Sequence, residues 1–509
     1  MDVLPGNHSV TAAPPAGEVK TVASSIGNGV PIPNLETTVG NDWMQLLYDT
    51  LIDLTPDGKF SPDRGLVTKY EMSRDGMTWT FYIREGVKFH DGVELTAKDV
   101  KFTIEQITLP GSILDAAIIL KRDVKNIEVK APFTVVINLK QPNIFLDKLF
   151  NNLSATAGMV IPKDYYERVG RDEFKKHPVG SGPYKWHSQQ VGTFIKLEAM
   201  DRHWRDGVPK YKYMTYQVIP EESTQLAMLI AGEADIARIS KDGVKEAQKA
   251  GLNVFMRSNS QPVALHCNMQ STSRVFSDVR FRKALNLAID KDAIIKHIFL
   301  GMAKPYASYP GSYMSVVAGS DMKLKPYPYD PKEAARLIKE GGWEGYAFDL
   351  ISYPRPSCPE YPLVVEAIAG FWEKIGLKPK IKMTEWAVWR SAWRERKTIN
   401  SVHGFDSFPA PDVAWILDKF RERYYGKTSS IGIINVPEVN EKFERIAKSV
   451  KIAEVSKNLS EIYRYTYDHY VDIPILEFSE MIVTSRRIPK WDTGSRPTDR
   501  NYNGLIKQR

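Results

Sequence analysis

The chain has few of the residues and motifs that mark a catalytic or metal-binding protein. Only two cysteines, Cys267 and Cys358, occur among 509 residues. They form no zinc framework, and their wide separation leaves open whether they pair or remain two buried thiols. The sequence also lacks a Gly-x-Ser-x-Gly elbow, a His-Glu-x-x-His motif and any two histidines four residues apart. We therefore expect no catalytic residues, no metal site and no cofactor.

Long apolar runs and blocks of like charge are missing as well. No run of 18 apolar residues occurs, so no transmembrane helix is expected. The formal net charge is +8, but basic and acidic residues alternate along the chain, unlike the clustered basic patches of nucleic-acid-binding proteins. We expect no nucleic-acid partner. Residues 1–17 lack a basic start followed by an apolar run and so do not read as a signal peptide, which taken alone allows a cytoplasmic location.

Length and patterning indicate a multidomain α/β protein. A chain of 509 residues is too long for one hydrophobic core, so two or three domains are expected. Residues 42–53 place Trp43, Leu47 and Leu51 on one helical face and predict a helix. Residues 134–139 predict a strand. Helical and strand patterns of this kind alternate along the sequence, as in α/β folds.

Residues 78–102 contain a strand, a turn and a capped helix in succession. Bulky residues predict the strand, and the glycine that follows Asp91 predicts the turn. Thr96 stands three residues before Asp99, which is the spacing of a helix capping box.

Four further motifs follow in the same chain. Residues 180–184, Gly-Ser-Gly-Pro-Tyr, lack the Lys-Ser/Thr ending of a nucleotide-binding loop and precede a strand. A helix stop at Gly232 leads back into a strand, as an α/β layer requires. Residues 276–291 predict an amphipathic helix, and residues 329–343 predict another with Asp330 as its cap.

These five motifs, in this order, closely resemble the extracellular solute-binding proteins of family 5, the dipeptide, oligopeptide and nickel class that delivers ligands to ABC importers. The resemblance covers roughly residues 30 to 485. It implies a binding protein for a small or oligomeric organic solute, with a membrane ABC permease as partner and a monomeric state. It also implies a periplasmic or extracytoplasmic location, with an export signal removed from the chain.

The resemblance further implies a type II periplasmic-binding-protein fold. Two α/β lobes close over the ligand, the chain crosses between them twice, and lobe one carries an extra subdomain. The expected divisions are lobe one at 1–43, 178–260 and 480–509, the extra subdomain at 44–177, and lobe two at 261–479, with crossings near 260–262 and 476–479.

Aromatic residues dominate the region predicted to face the ligand. Trp386, Trp389 and Trp393 recur at helical spacing, which is typical of a core stripe and is also compatible with a binding surface. In the family, the position of Trp386 and a loop matching residues 404 and 405 line the cleft, and stacked aromatic rings suit that role. The residues favoured on this basis are Trp386, Trp393, Gly404, Phe405 and Phe408.

The same loop departs from the pattern of peptide-binding members. Those proteins place an aspartate about four residues after the loop glycine, where it pairs with the α-ammonium of the ligand. Here Ser407 and Phe408 occupy the candidate positions and Asp406 is shifted. An unpaired ammonium in a dry cleft would cost several kcal/mol. Either Asp406 takes the role through a change of register or the protein does not bind free peptides, and we favour the second interpretation.

Three more polar residues are candidates for ligand contact. Strand alternation puts His266 on the face opposite Leu265, and the resemblance allows either a ligand contact or a structural histidine there. Asn34 and Glu36 belong to a proline-braced loop that reaches the cleft in relatives, and a surface turn is the alternative.

Two other classes of function stay open. A hydrolase on the same fold would use paired carboxylates, which sequence cannot exclude. A signalling or chaperone-like module would keep the fold and serve a protein partner. Turnover of a bound compound would indicate the enzyme, whereas ligand-induced thermal stabilisation without chemical change would indicate the receptor.

Overall fold

The fold was analysed in a computed structural model. It describes residues 13–55, 59–114, 116–151, 156–205, 207–267, 269, 274–307, 324–353, 358–385, 388, 389, 391, 392, 395, 397, 398, 400–404, 417, 420, 421, 424–426 and 434–491.

Helices and strands alternate over most of the described chain, which confirms the predicted α/β class. The strands are β1 (Glu18–Ala23), β2 (Val67–Met72), β3 (Thr78–Ile83), β4 (Val124–Ala131), β5 (Thr134–Leu139), β6 (Tyr184–Gln190), β7 (Phe194–Ala199), β8 (Tyr213–Val218), β9 (Ile236–Arg238), β10 (Asn253–Cys267), β11 (Ala303–Pro305), β12 (Ala347–Ser352), β13 (Lys378–Met383), β14 (Ser401–Gly404) and β15 (Asp472–Thr484). The α-helices are α1 (Asn41–Leu47), α2 (Ala97–Thr108), α3 (Ala116–Asp123), α4 (Lys163–Val169), α5 (Arg171–Lys176), α6 (Glu222–Ala231), α7 (Lys241–Lys249), α8 (Val279–Leu287), α9 (Lys291–His297), α10 (Pro331–Glu340), α11 (Tyr361–Lys374), α12 (Pro437–Lys448) and α13 (Ile452–Asp468).

One large sheet runs through the molecule in the order β13-β12-β14-β10-β15-β9-β1-β8-β7-β6, and β11 also pairs with β15. At one end β12 is parallel to β13 and β14, and at the other β1 is parallel to β8 and β9. The long strands β10 and β15 pair antiparallel in the middle, with a register shift between Arg257 and Gln261. The sheet therefore contains two parallel groups linked through β10 and β15, and β7 and β6 extend it beyond β8 as antiparallel strands.

Each parallel group has a hydrophobic core of its own, and β15 contributes to both. The core of the β1-β8-β9 group, here called the first-lobe core after the predicted lobe, includes Val22, Leu226, Ala237, Ala247 and Val483. The core of the β12-β13-β14 group, here called the second-lobe core after the predicted lobe, includes Leu265, Leu350, Val364, Trp372 and Ile473. Because Ile473 and Val483 both lie on β15, this strand passes from the second core to the first.

A smaller antiparallel sheet, in the order β2-β3-β5-β4, lies within the predicted extra subdomain. Its apolar face supplies Trp79, Phe81 and Ile137 to a third core that also contains Phe443 of α12 and Leu459 of α13. The small sheet therefore shares a hydrophobic core with helices from the later part of the chain.

Local signals in the sequence are confirmed at several helix ends. Thr96 caps α2, and its backbone N–H donates to Oδ2 of Asp99 at 2.9 Å. Asp330 caps α10 through the backbone N–H of Glu333 at 3.0 Å. Gly232 ends α6 with φ of 76°, a left-handed conformation that glycine adopts readily.

The helix predicted over residues 42–53 is too long. It spans Asn41–Leu47, and Tyr48 is extended with φ of −126° and ψ of 140°. Beyond Tyr48, the N–H of Leu51 donates to the carbonyl of Gly158 at 2.8 Å. Leu51 is buried as expected, but long-range backbone bonding rather than helix places it there.

His90 joins two of the diagnostic motifs. Its Nε2 lies 3.0 Å from the carbonyl oxygen of Gly182, and its Nδ1 lies 3.2 Å from the backbone nitrogen of Gly180. The glycines are packed tightly against the end of α1, because a Cβ at Gly180 would lie 2.0 Å from the carbonyl oxygen of Leu47. The Gly-Ser-Gly-Pro-Tyr segment therefore serves as a close-packed junction that leads into β6.

The two cysteines are buried in the second-lobe core and are not joined by a disulfide. Burial raises the pKa of the Cys267 thiol to about 12. That thiol is therefore protonated at neutral pH and behaves as a small apolar side chain.

Candidate functional site

The carboxyl ends of parallel strands from the two groups lead to residues that touch each other. In the first group, β9 is followed by Lys241, and in the second, β12 is followed by the segment that reaches Glu360. Nζ of Lys241 lies 3.5 Å from Oε1 of Glu360. Ligands of α/β sheets bind outside the carboxyl ends of parallel strands. The space between these two ends, here called the cleft, is the candidate functional site.

Glu36 lies after β1, and its buried carboxylate braces its own loop. Oε1 accepts hydrogen bonds from the backbone N–H groups of Asn28 at 2.8 Å and Thr37 at 2.7 Å. Oε2 accepts one from the N–H of Val30 at 2.9 Å. Burial raises the pKa of Glu36, although these N–H groups oppose the rise. The contacts assign Glu36 a part in shaping the loop, and its contact with a ligand stays a prediction.

Asn34 ties the same loop to the extra subdomain. Its Nδ2 donates to the carbonyl of Gln106 in α2 at 2.9 Å, and its own carbonyl accepts from the N–H of Ile113 at 3.0 Å. The side chain is 8% exposed. The loop is therefore a bridge between β1 and the extra subdomain rather than an isolated surface turn, and ligand contact by Asn34 stays a prediction.

His266 belongs to a buried polar cluster that spans three adjacent strands. It lies opposite His403 of β14 and Asp472 of β15. Nδ1 of His266 is 2.7 Å from Oδ1 of Asp472, and Oδ2 of Asp472 accepts a hydrogen bond from the hydroxyl of Tyr424 at 2.7 Å. The ring centres of the two histidines are 5.9 Å apart. This cluster gives His266 a structural partner, and contact with a ligand stays a prediction.

Gly404 ends β14 at the start of the predicted ligand loop, and its surroundings require a glycine. A Cβ at this position would lie 1.6 Å from the hydroxyl oxygen of Tyr361. The hydroxyl of Tyr353 donates to the carbonyl of Gly404 at 3.3 Å. Tyr361 follows Glu360 directly, so the start of the loop and Glu360 are neighbours at the same edge of the sheet.

The structure describes the tryptophan stripe only at Trp389. This residue is 7% exposed, belongs to the second-lobe core, and has its ring centre 5.2 Å from that of His403. At this one position the side chain is part of the core. The other predicted residues of this surface lie outside the described residues: Trp386, Trp393, Phe405, Asp406, Ser407 and Phe408.

Sequence reasoning missed several polar residues of the cleft and its supporting cluster. Lys241 and Glu360 resemble ordinary helix-start residues, and nothing in their local pattern indicates that they meet. Asp472 gave a weak signal, because a carboxylate at the head of the apolar strand β15 requires a buried partner. Tyr424 gives no local signal, since its role depends on its bond to Asp472.

A cavity of about 40 Å³ lies elsewhere, between the extra subdomain and α12, with Asp123, Phe145, Arg421 and Ser449 in its lining. That volume holds about one water molecule, far less than the several hundred Å³ of a typical ligand pocket. This cavity is therefore a poor candidate for a solute site.

The residues that the structure describes lack two further features. They contain no group of three His, Cys, Asp or Glu side chains placed to hold a metal ion. Within that same part of the chain, no helix combines the length and apolar character needed to cross a membrane.

Comparison with known proteins identifies the family. The description "Bacterial extracellular solute-binding proteins, family 5 Middle" matches residues 61–423. The chain belongs to this family. Among the curated relatives of this family 5 protein, the glutathione-binding protein GsiB of Salmonella typhimurium is 30% identical over 382 residues, which is 74% of this chain and 72% of the relative.

Solved structures share the fold of this family 5 protein. NikA from Brucella suis, in complex with Fe(III)-EDTA, matches with a TM-score of 0.80 and 22% identity, covering 96% of this chain and 100% of that one. The periplasmic binding protein DppA from Helicobacter pylori, in complex with the peptide STSA, matches with a TM-score of 0.78 and 21% identity, covering 97% and 98%. The predicted two-lobed periplasmic-binding-protein fold is thereby confirmed. The residue boundaries of the lobes stay a prediction.

Proposed function

We propose that this protein captures a small or oligomeric organic solute between its two lobes and delivers it, chemically unchanged, to the membrane permease of an ABC importer. The observation that carries the proposal is the contact between Lys241 and Glu360, which brings together the carboxyl ends of parallel strands from the two lobes. Membership of family 5 supports the same role. In this role the protein acts as a monomer outside the cytoplasm, without a nucleic-acid partner and without a catalytic step.

We propose the lobe division already given for the sequence as the basis of a hinged closure. The position of β15 supports it, because Ile473 packs in the second-lobe core and Val483 in the first-lobe core. The chain therefore passes between cores near the proposed crossing at 476–479. Closure by rotation about two such crossings is a known type of domain movement.

We propose further that the solute is not an ordinary α-linked peptide. The support comes from the sequence of the loop after Gly404, where Ser407 and Phe408 stand at the positions that hold an ammonium-binding aspartate in peptide-binding members. A relative is named a glutathione-binding protein. Glutathione carries a γ-glutamyl linkage, which leaves a free α-carboxylate beside its α-ammonium, so that ammonium has a partner charge within the ligand that an α-linked peptide lacks. It is the first solute to test, before opine-like conjugates and sugars.

The test combines discovery of the solute with a matched titration. Native mass spectrometry of the freshly purified protein reports any co-purified compound and whether its mass changes on incubation. Calorimetric titration then compares glutathione with the dipeptide Met-Leu, using wild-type protein and Asp406→Asn. A solute at 100 times its dissociation constant should stabilise the fold by about 2.7 kcal/mol. We expect glutathione or the co-purified compound to bind and Met-Leu not to.

Two results would overturn these proposals in different ways. Tight binding of Met-Leu that is lost in Asp406→Asn would show that the protein is a peptide receptor which uses Asp406 for the ligand amine. Conversion of the bound compound during incubation would show that the protein is a hydrolase on this fold.

A further inference from the structure

Lys241 and Glu360 belong to different lobes. Lys241 is the first residue of α7, and Ala247 of that helix packs in the first-lobe core. Glu360 precedes α11, and Val364 of that helix packs in the second-lobe core. The contact between Lys241 and Glu360 therefore spans the cleft and depends on how the two lobes are aligned.

Both side chains are almost completely removed from water. The side chain of Lys241 is 4% exposed and that of Glu360 is 7% exposed. Nζ of Lys241 lies 4.1 Å from the ring centre of Phe478 and 5.2 Å from that of Phe299, close enough for cation–π attraction. Phe478 lies on β15 at the proposed crossing between lobes. The ammonium therefore lies against two aromatic rings near the proposed crossing at 476–479.

The carboxylate depends on the lysine for compensation. Among the described residues, neither Oε1 nor Oε2 of Glu360 has a hydrogen-bond partner. Among these residues, the cation paired with Oε1 is Lys241, at 3.5 Å. A buried carboxylate without hydrogen bonds is unfavourable, so its stability in this position rests on the opposing charge.

The physical consequence is that closure is unfavourable when only one of the two charges is present. When the lobes separate, each charge regains water. When the lobes close, water is removed, and a single remaining charge would be left uncompensated. Removing one partner of a buried pair is strongly unfavourable, whereas replacing both by neutral groups is often neutral. The pair therefore adds little net stability to the closed form. Its main effect is to raise the free energy of closed forms in which the two charges do not meet.

We propose that Lys241 and Glu360 form a charged latch across the cleft, which fixes the alignment of the closed lobes. The latch rests on the proposed function, because it requires lobes that open and close. The contact is made by the protein alone, so the latch can be tested without a solute, whereas the solute titration described above tests the receptor proposal separately.

The experiment measures the distance between the lobes in the full-length protein. Spin labels are attached at Lys245→Cys on α7 and Glu366→Cys on α11, two exposed positions. The native cysteines are buried and so protected from labelling. Double electron–electron resonance then gives the ratio of short-distance to long-distance populations. The variants are Glu360→Gln, Lys241→Met, and the two substitutions combined.

A matched control is Glu441→Gln, which removes one partner of an exposed ion pair on α12, where Glu441 and Arg445 are 61% and 56% exposed. Thermal unfolding of every variant separates a loss of closure from a loss of folding. We expect each single substitution in the latch to lower the short-to-long ratio by at least about tenfold, and the double substitution to return it to within about twofold of the wild type.

Three outcomes would overturn the latch. The first is a short-to-long ratio that stays the same in both single variants. The second is a double variant whose loss equals the product of the two single losses. The third is a wild-type protein with no short-distance population. If the first outcome came with lower melting temperatures, the pair would be an ordinary structural contact.

Discussion

Replacing His90 by glutamine should make the protein less sensitive to acid. The Nε2–H of His90 donates to the carbonyl of Gly182, and Nδ1 accepts from the N–H of Gly180. A ring that donates from one nitrogen and accepts at the other is neutral. Protonation would add a hydrogen to Nδ1, which would then face the backbone N–H of Gly180 and lose that hydrogen bond. Burial lowers the pKa of His90 to about 4, with His203 acting in the same direction and Asp49 against it.

The direction of the pH effect follows from this depressed pKa. In the unfolded chain the pKa of His90 returns to the ordinary value of 6.5. Between these two pH values the unfolded chain binds more protons than the folded protein, so stability rises with pH. The contribution is complete above about pH 6.5 and is lost as the pH falls towards about 4. It amounts to about 3 kcal/mol, which follows from the difference between the two pKa values.

Urea unfolding at about pH 7.5 and about pH 4.5 measures the effect. The wild type should lose about 2 to 3 kcal/mol more stability than His90→Gln between the two conditions. At the higher pH, His90→Gln should be less stable by about 1 to 2 kcal/mol, because glutamine replaces the two hydrogen bonds imperfectly. The exposed His177→Gln serves as control. Equal acid losses in the wild type and His90→Gln would refute the reasoning.

Three further substitutions test the packing of the two lobes. Gly182→Ala would place a Cβ 2.4 Å from the carbonyl oxygen of Leu46, so it should lower the free energy of unfolding by about 1 to 3 kcal/mol. Gly370→Ala, in the middle of α11 with open space around it, should be neutral or stabilising by up to about 1 kcal/mol. Asp235→Asn removes a buried carboxylate that accepts from Arg487 at 3.0 Å, and should cost about 2 kcal/mol. Chemical denaturation measures all three, and an unchanged midpoint in Gly182→Ala or Asp235→Asn would contradict the packing argument.

Features set by a few neighbouring residues were predictable from the sequence. The capping of α2 by Thr96 and Asp99 and of α10 by Asp330 depends on groups three residues apart, and the structure shows both. The stop at Gly232 was predictable for the same reason. The two-lobed fold was predictable because the five motifs occur in the order typical of the family. Recognising that order requires no knowledge of long-range contacts.

Features set by distant residues were not predictable. The helix predicted over 42–53 ends early because backbone groups after Tyr48 bond to a segment more than a hundred residues away, as in the bond from Leu51 to Gly158. The contact between Lys241 and Glu360 was not predictable for the same reason, since the two residues are far apart in the chain. Each stands at the start of a helix, and neither helix start carries a signal for the other. The predicted Trp386 and the aromatic loop after Gly404 stay predictions, because they lie outside the described residues.

The central position of β15 has a consequence for how the chain folds. This strand comes near the end of the sequence, yet it lies between β10 and β9 in the large sheet. A chain emerging from the ribosome therefore cannot complete either lobe until residues 472–484 have been made. Pairing over such sequence separations is slow, so the nascent protein should remain open and unassembled through most of its synthesis. A chain that stops before β15 should yield two unfinished lobes instead of one folded lobe and one missing lobe.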